Sequence, residues 1–241
     1  MPSSFDRKSD ARTAVWDRLE AEGVARFPFP PHGRIPNFEG APAAAERLFG
    51  TAPLADARRI KVNPDAPQRF VRIEALRRGR VVFVPTPRLR GGFQRLDPDA
   101  IPADEIDAAA SLSHMDEWAE PVGLSDLPAL DAIVTGSVAV TRDGRRCGKG
   151  EGYSDLEYAL FRELGHPPAP VATTVHPLQL VGSFPTDAHD LPLAVIVTPD
   201  ETISVAEPPP PPAGIDWDAL PDEALEEMPV LAELRRRRDA A

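Results

Sequence analysis

A chain of 241 residues carrying 38 acidic and 27 basic side chains, for a net charge of −11, is long enough to enclose one large hydrophobic core. That charge argues against non-specific attachment to nucleic acid or to anionic membranes. The single cysteine, Cys147, excludes an internal disulfide framework and a zinc site built from this chain's cysteines, and it fits a reducing compartment.

No apolar run approaches the ~18 residues that a membrane span needs, and the opening residues lack the apolar core of a signal peptide. The expectation is a cytoplasmic protein. From Ser9 to about Ala25, the residues Ala11, Val15, Leu19 and Val24 recur at roughly helical spacing with Ser9 as cap, predicting an amphipathic helix. Four prolines within residues 28–36 then predict an ordered extended loop. Residues 43–49 read as a short helix, and Arg59 to Val62 as a strand ended by Asn63-Pro64. Pro67-Gln68 opens a helix whose Val71, Ala75 and Leu76 share a face and which Gly79 closes. A strand over 80–85, a helix over 104–110, a strand over Ala132 to Val140, a helix over 154–165 and strands in 170–176 and 191–198 follow. This alternation of short apolar runs with helices predicts an α/β fold, a mostly parallel sheet covered by helices on both faces.

After Val205 the composition changes. Five consecutive prolines at 208–212 favour a semi-rigid polyproline II spacer. The expected organisation is an α/β domain over residues 1–206, a linker over 207–213 and a short C-terminal helical tail over 214–241. In the tail, Leu220, Ala224, Leu225, Met228, Leu231 and Leu234 lie near one helical stripe interrupted at Pro229. Arg235 to Arg238 complement the negative end of that helix, which accounts for them without a nucleic-acid partner.

The strongest chemical feature is the run GRRCGKGEGYSD at 144–155, between a predicted strand and a predicted helix. Gly148, Gly150 and Gly152 allow backbone N–H groups to approach an anion, and the helix that follows turns its positive end toward the same place. Arg146 and Lys149 add full charges. Asp155 can cap the helix or help hold a magnesium ion on a polyphosphate. The spacing is neither that of a Walker loop nor that of a dinucleotide fingerprint, and the same residues also make an ordinary surface turn. Physical chemistry alone leaves those two readings open. The five histidines show no zinc-ligand spacing.

Residues 146–155, R-C-G-K-G-E-G-Y-S-D, resemble the R-L-G-x-G-x-G-Y-Y-D signature of the 5-formyltetrahydrofolate cyclo-ligases, also called methenyltetrahydrofolate synthetases. The likeness extends over most of residues 8–204. RIPNFEGA at 34–41, KVNPDAPQ at 61–68 and VPTPRLRGG at 84–92 are similar to the methenyltetrahydrofolate synthetase domain-containing subgroup. The resemblance implies a three-layer α/β/α domain and an ATP- and Mg2+-dependent ligase of one-carbon folate metabolism. In that reaction the formyl oxygen of 5-formyltetrahydrofolate is phosphorylated, N10 attacks the activated carbon, and phosphate leaves to give 5,10-methenyltetrahydrofolate. It implies phosphate-neutralising roles for Lys8, Arg12, Arg146 and Lys149 and for the glycine turn. Tyr153 would contact a ligand ring or donate a hydrogen bond, and Asp155 or Asp190 would serve magnesium. Arg146, Lys149 and Asp190 are the expected catalytic residues, and a formylated folate or a related anion the expected partner. Without the resemblance, Lys8 and Arg12 at i, i+4 also read as a solvated helix face.

Two departures from the family pattern stand out. The glutamate that usually helps bind folate, in an E-V-x-T context, corresponds here to a stretch, Arg69 to Arg72, with no carboxylate; Glu74 lies one turn beyond. Ser154 stands where a tyrosine is customary. The arginine-rich 85–93 segment, with Arg88 and Arg90, is specific to the subgroup. The alternative these departures suggest is a non-catalytic nucleotide-binding protein of the same fold, regulatory or RNA-associated, since some members of the subgroup carry an RNA-recognition module.

Overall fold

The computed structural model describes residues 3–220 and 222–239. In chain order its helices and strands are α1 (Lys8–Ala21), β1 (Ala25–Arg26), β2 (Asn37–Phe38), α2 (Ala41–Leu48), β3 (Arg59–Val62), α3 (Gln68–Arg77), β4 (Val81–Pro85), β5 (Phe93–Leu96), α4 (Ile106–Ala109), β6 (Glu120–Val122), β7 (Ala132–Val134), β8 (Ala139–Val140), β9 (Arg146–Cys147), α5 (Tyr153–Glu163), β10 (Val171–Thr174), β11 (Val195–Val197), β12 (Thr202–Ser204), α6 (Asp222–Glu227) and α7 (Pro229–Asp239). Eight strands form one sheet in the order β12-β11-β10-β7-β3-β4-β5-β6. The five from β11 to β4 are parallel, while β12, β5 and β6 extend it antiparallel at its two edges.

Strand alternation divides the core. Ile60, Val62, Ala132, Val134 and Val195 face α2 and α3, where Ala44, Leu48, Val71 and Ala75 meet them. Phe83, Ile133, Val171 and Ile196 face α5 through Tyr158, Leu160 and Phe161. The result is the three-layer α/β/α arrangement, with the continuous apolar runs on strands covered from both sides. A third cluster seats Ala11, Val15 and Leu19 of α1 against Val138, Ala139 and Cys147.

Some boundaries differ from the sequence pattern. The apolar run expected as one strand over Ala132 to Val140 is two. β7 belongs to the central sheet, and β8 forms a separate hairpin with β9. The break is at Gly136, where an added Cβ would lie 2.8 Å from Ile35 and 2.9 Å from Asp65 Oδ2. Helix α1 stops at Ala21 because Gly23 turns the chain with φ of +67°. Ser9 is not its cap: Arg7 holds that position, and the Ser9 hydroxyl bonds Asp10. The helix expected over 104–110 is the single turn of α4.

Residues beyond the proline run lay their apolar stripe on the α5 side of the sheet. Ile215, Met228, Val230, Leu231 and Leu234 are buried in the same cluster as Phe161. The Ile215 amide and the Trp217 indole both donate to Glu163 Oε1. Two of the terminal arginines have local partners, Arg237 with Glu233 and Ser125, and Arg238 with Asp239 and the Trp217 ring. No helix among the described residues is long and apolar enough to cross a membrane.

Candidate functional site

In an open parallel sheet, the carboxyl ends of the strands leave a crevice where side chains from separate loops can meet. Here that crevice is a cavity of about 550 Å3 bounded by α1, the turn after β3, the glycine run, the start of α5 and the 187–190 loop. Lys8, Arg12, Arg146, Gly148, Lys149, Gly150, Gly152, Tyr153, Asp155 and Asp190 all line it. Residues separated by as many as 182 positions in the chain therefore share one wall.

The glycine turn is shaped by close contacts. Gly150 and Gly152 have φ of +108° and +74°, and at Gly148 a Cβ would lie 2.9 Å from the Arg146 guanidinium. Arg146 is 5% exposed; its Nε donates to the Gly136 carbonyl and its Nη1 to Asp155 Oδ1, each at 3.1 Å. Arg12 Nε donates to the Gly148 carbonyl at 3.1 Å, so α1 is fastened to the turn. Gly152 caps α5 with no side-chain hydrogen bond to the first turn, leaving the positive end of that helix beside the cavity.

Each remaining cation stands beside carboxylates. Lys8 Nζ donates to Asp187 Oδ2 at 2.8 Å and to Asp190 Oδ1 at 2.6 Å. Burial alone would lower the pKa of Lys8, but these two carboxylates outweigh it and raise it. Lys149 pairs with Glu151 at 2.7 Å. Asp155, besides holding Arg146, accepts from the Leu191 amide at 2.9 Å. Asp187, His189 and Asp190 bring ligand atoms within 4.8 Å of one another. Their carboxylate oxygens are the hard donors that magnesium takes, but both carboxylates hold Lys8, and Asp190 also accepts the Asp187 amide at 2.7 Å, just as Asp155 holds Arg146 and accepts an amide.

At the floor of the cavity and just beneath it lie groups that the sequence pattern did not single out. Lys61, 1% exposed, reaches from the α5 face of β3 to the buried Glu157 of α5 and donates to Asn63 Oδ1 at 2.5 Å. Asn63 Nδ2 in turn donates to Ser154 Oγ at 2.9 Å, so the serine is a member of this network. Burial pushes the Glu157 carboxyl up against the opposing pull of Lys61. Asp65, in the turn after β3, is also raised by burial, with Lys149, Asn63, Lys61 and Arg146 pulling the other way. A lysine in the short apolar strand R-I-K-V and a glutamate within the apolar face of α5 were the available signals.

Asp65 and Lys149 also border a second cavity of about 560 Å3, which adjoins the first. Its walls include Phe27, Phe70 and Leu112, with Arg34 and Arg69. Phe27 is 79% and Leu112 50% exposed, an unusual presentation of large apolar groups. Glu74 does not reach either cavity and instead pairs with Arg77 and Arg78 along α3. Arg72 is buried and donates to the Ala110 and Asn63 carbonyls. Burial brings its pKa down to about 10, which leaves it charged at neutral pH.

Residues 8–199 match the model of the 5-formyltetrahydrofolate cyclo-ligase family. The chain belongs to that family. It is 42% identical over 247 residues to a methenyltetrahydrofolate synthase domain-containing protein of Bos taurus, covering 100% of this chain and 65% of that protein. It is 37% identical over 241 residues to the Homo sapiens protein so named, covering 97% and 63%. The chain thus spans less than two thirds of the length of these relatives. Its fold is similar to the NMR structure of Aquifex aeolicus 5,10-methenyltetrahydrofolate synthetase, with a TM-score of 0.51 at 18% identity, over 83% of this chain and 93% of that one. Within this cyclo-ligase fold, the glycine run falls on the β9–α5 connection that lines the first cavity.

Proposed function

We propose that the chain binds ATP with magnesium in the first cavity and uses it to convert 5-formyltetrahydrofolate to 5,10-methenyltetrahydrofolate. The observation that carries this reading is the meeting of Lys8, Arg12, Arg146 and Lys149 with the glycine turn around one cavity. Arg12, Arg146 and Lys149 stabilise charge on the transferring phosphoryl group, the main electrostatic demand of this chemistry. Tyr153 and the first turn of α5 orient the phosphate chain. Asp190, with Asp187, would hold magnesium, and Asp155 keeps Arg146 aimed across the turn. When bound, magnesium supplies further positive charge to the phosphate oxygens. The second cavity takes the folate: Phe27, Phe70 and Leu112 face its rings, Arg34 and Arg69 its carboxylates, and Asp65 stands where the two cavities join.

A second reading, nucleotide binding without turnover in a regulatory or RNA-associated protein, is favoured by one observation. The first turns of α3 offer Arg69 and the buried Arg72 in place of a carboxylate. Purified protein incubated with 5-formyltetrahydrofolate, ATP and magnesium separates the two readings. Growth of the methenyl absorbance is expected; ATP binding without it supports the second reading, and neither signal refutes both.

A further inference from the structure

The loop between β4 and β5 holds two consecutive non-glycine residues in the left-handed region, Arg88 with φ of 53° and Leu89 with φ of 51°. Such conformations persist only where their surroundings over-determine them, and they concentrate at ligand clamps. Leu89 is fully buried in the cluster that also contains Met228. The Thr86 hydroxyl accepts from the Gly91 amide and donates to the Gly92 carbonyl, bracing the loop at its base. Arg88 is thereby directed to the mouth of the first cavity, which it lines together with Tyr153.

Its partner there comes from the far end of the chain. Glu227, the last residue of α6, lies with Oε1 3.6 Å from Arg88 Nη1, and its Oε2 accepts from the Tyr153 hydroxyl at 3.3 Å. The next residue, Met228, is 1% exposed, and Val230, Leu231 and Leu234 of α7 are buried beside it, so the carboxylate is delivered to this place by core packing. The side chains of Arg88 and Glu227 are each about half exposed, at 51% and 49%, which makes their pairing exchangeable.

We propose that Arg88 is a further polyphosphate-binding residue and that Glu227 is a built-in competitor for it, an autoinhibitory contact through which the C-terminal segment sets the affinity of the cavity. This rests on the reading of the first cavity as a phosphate site. A polyanion entering past Tyr153 exchanges the Glu227 carboxylate for its own oxygens on Arg88. Movement of α6 away from the mouth leaves Arg88 free and the site tighter.

The test is calorimetric titration of inorganic triphosphate into the full chain and into Glu227→Gln, Arg88→Ala and the double variant, with thermal melts as a folding control. Glu227→Gln is expected to bind about two- to fivefold tighter, the range for releasing a half-exposed ion pair. Arg88→Ala is expected to bind more weakly. The gain from Glu227→Gln should vanish in the Arg88→Ala background and fade at about 1 M salt. Glu227→Ser replaces Glu227→Gln if the latter melts early. Unchanged or weaker binding in a folded Glu227 variant, or an equal gain without Arg88, overturns the competition while the phosphate site stands. A wild-type chain that binds no triphosphate overturns both.

Discussion

Replacing Lys61 with methionine removes the ammonium from a site where it is 1% exposed and leaves Glu157, itself buried, without its partner. Breaking one side of such a pair costs about 3–5 kcal/mol, because the remaining charge has neither water nor a counter-ion. At roughly 2–4 °C per kcal/mol for a domain of this size, the melting temperature should fall by about 6–20 °C. Glu157→Leu should cost a similar amount. The double variant Lys61→Met/Glu157→Leu should recover most of the loss, since no unpaired charge is left in the dry site. The pH dependence carries the sign. In Lys61→Met, burial raises the folded-state pKa of Glu157 with no lysine to oppose it, so the folded state holds a proton that the unfolded state releases. The stability deficit should therefore shrink toward pH 4.5 and grow as pH rises through the raised folded pKa. Urea denaturation of the four proteins at pH 5 and pH 8 measures this. Single variants that cost under about 1 kcal/mol, or a double variant as unstable as the singles, would refute the argument that paired charge in a dry site is what matters.

The glycine turn gives a contrast. Gly148→Ala sets a Cβ 2.9 Å from the fixed Arg146 guanidinium and should weaken triphosphate binding at least about tenfold with little loss of stability, whereas Gly152→Ala meets nothing within 4 Å and should cost about 1–2 kcal/mol for its φ of +74° while keeping affinity. Gly150→Val, at φ of +108° and 3.4 Å from Arg12, should abolish nucleotide binding in a domain that remains folded by circular dichroism. A chain ending at Pro208 loses five buried apolar side chains worth about 1.5–3 kcal/mol each, comparable with the whole stability of a domain. It should bind a hydrophobic dye and lose cooperative unfolding; a sharp wild-type-like melt would contradict this. Burial works against the charge on Asp131, but the Arg59 and Arg58 amides it accepts at 2.8 and 2.9 Å hold its pKa below the ordinary 3.8. That stabilisation is present above 3.8 and is lost as pH falls through the depressed value, so Asp131→Asn should cost at most about 1 kcal/mol at pH 7, screened by its partial exposure, and less as pH falls below 3.8. A difference that stays constant with pH would count against it.

Much of this was legible because it is local. The parallel core strands announced themselves as apolar runs between helices, and the glycine run fell between a strand and a helix. The antiparallel edges β5, β6 and β12 were not legible, since F-Q-R-L and E-P-V lack the alternation or the apolar run that marks a strand. The split of β7 from β8 was hidden because apolarity does not report which sheet a residue joins. It follows from the approach of Ile35 and Asp65 to Gly136, contacts that come from distant segments. The same holds for the cavity floor. Lys61 and Glu157 are 96 positions apart, and only tertiary structure shows that each accounts for the other's burial. The altered Ser154 reads as a lost aromatic in sequence and as the hydrogen-bond acceptor of Asn63 in three dimensions.

The charges around the cavity bear on how an acidic protein could select the polyphosphate proposed above. Lys8 is matched by Asp187 and Asp190, Arg146 by Asp155, Lys149 by Glu151 and Arg88 by Glu227, while Arg12 donates to a carbonyl. A wall of unmatched cations would attract any polyphosphate or nucleic acid. Interleaved pairs do not, because a bare anion must displace carboxylates to reach each cation. On the function proposed above, a phosphate chain that carries its own divalent cation also offers displaced carboxylates a new partner, since Asp187 and Asp190 are donors that suit such a cation once Lys8 turns to the phosphate. On that reading the array suits a metal–polyphosphate ion pair as well as the bare anion, and the net charge of −11 disfavours non-specific polyanions.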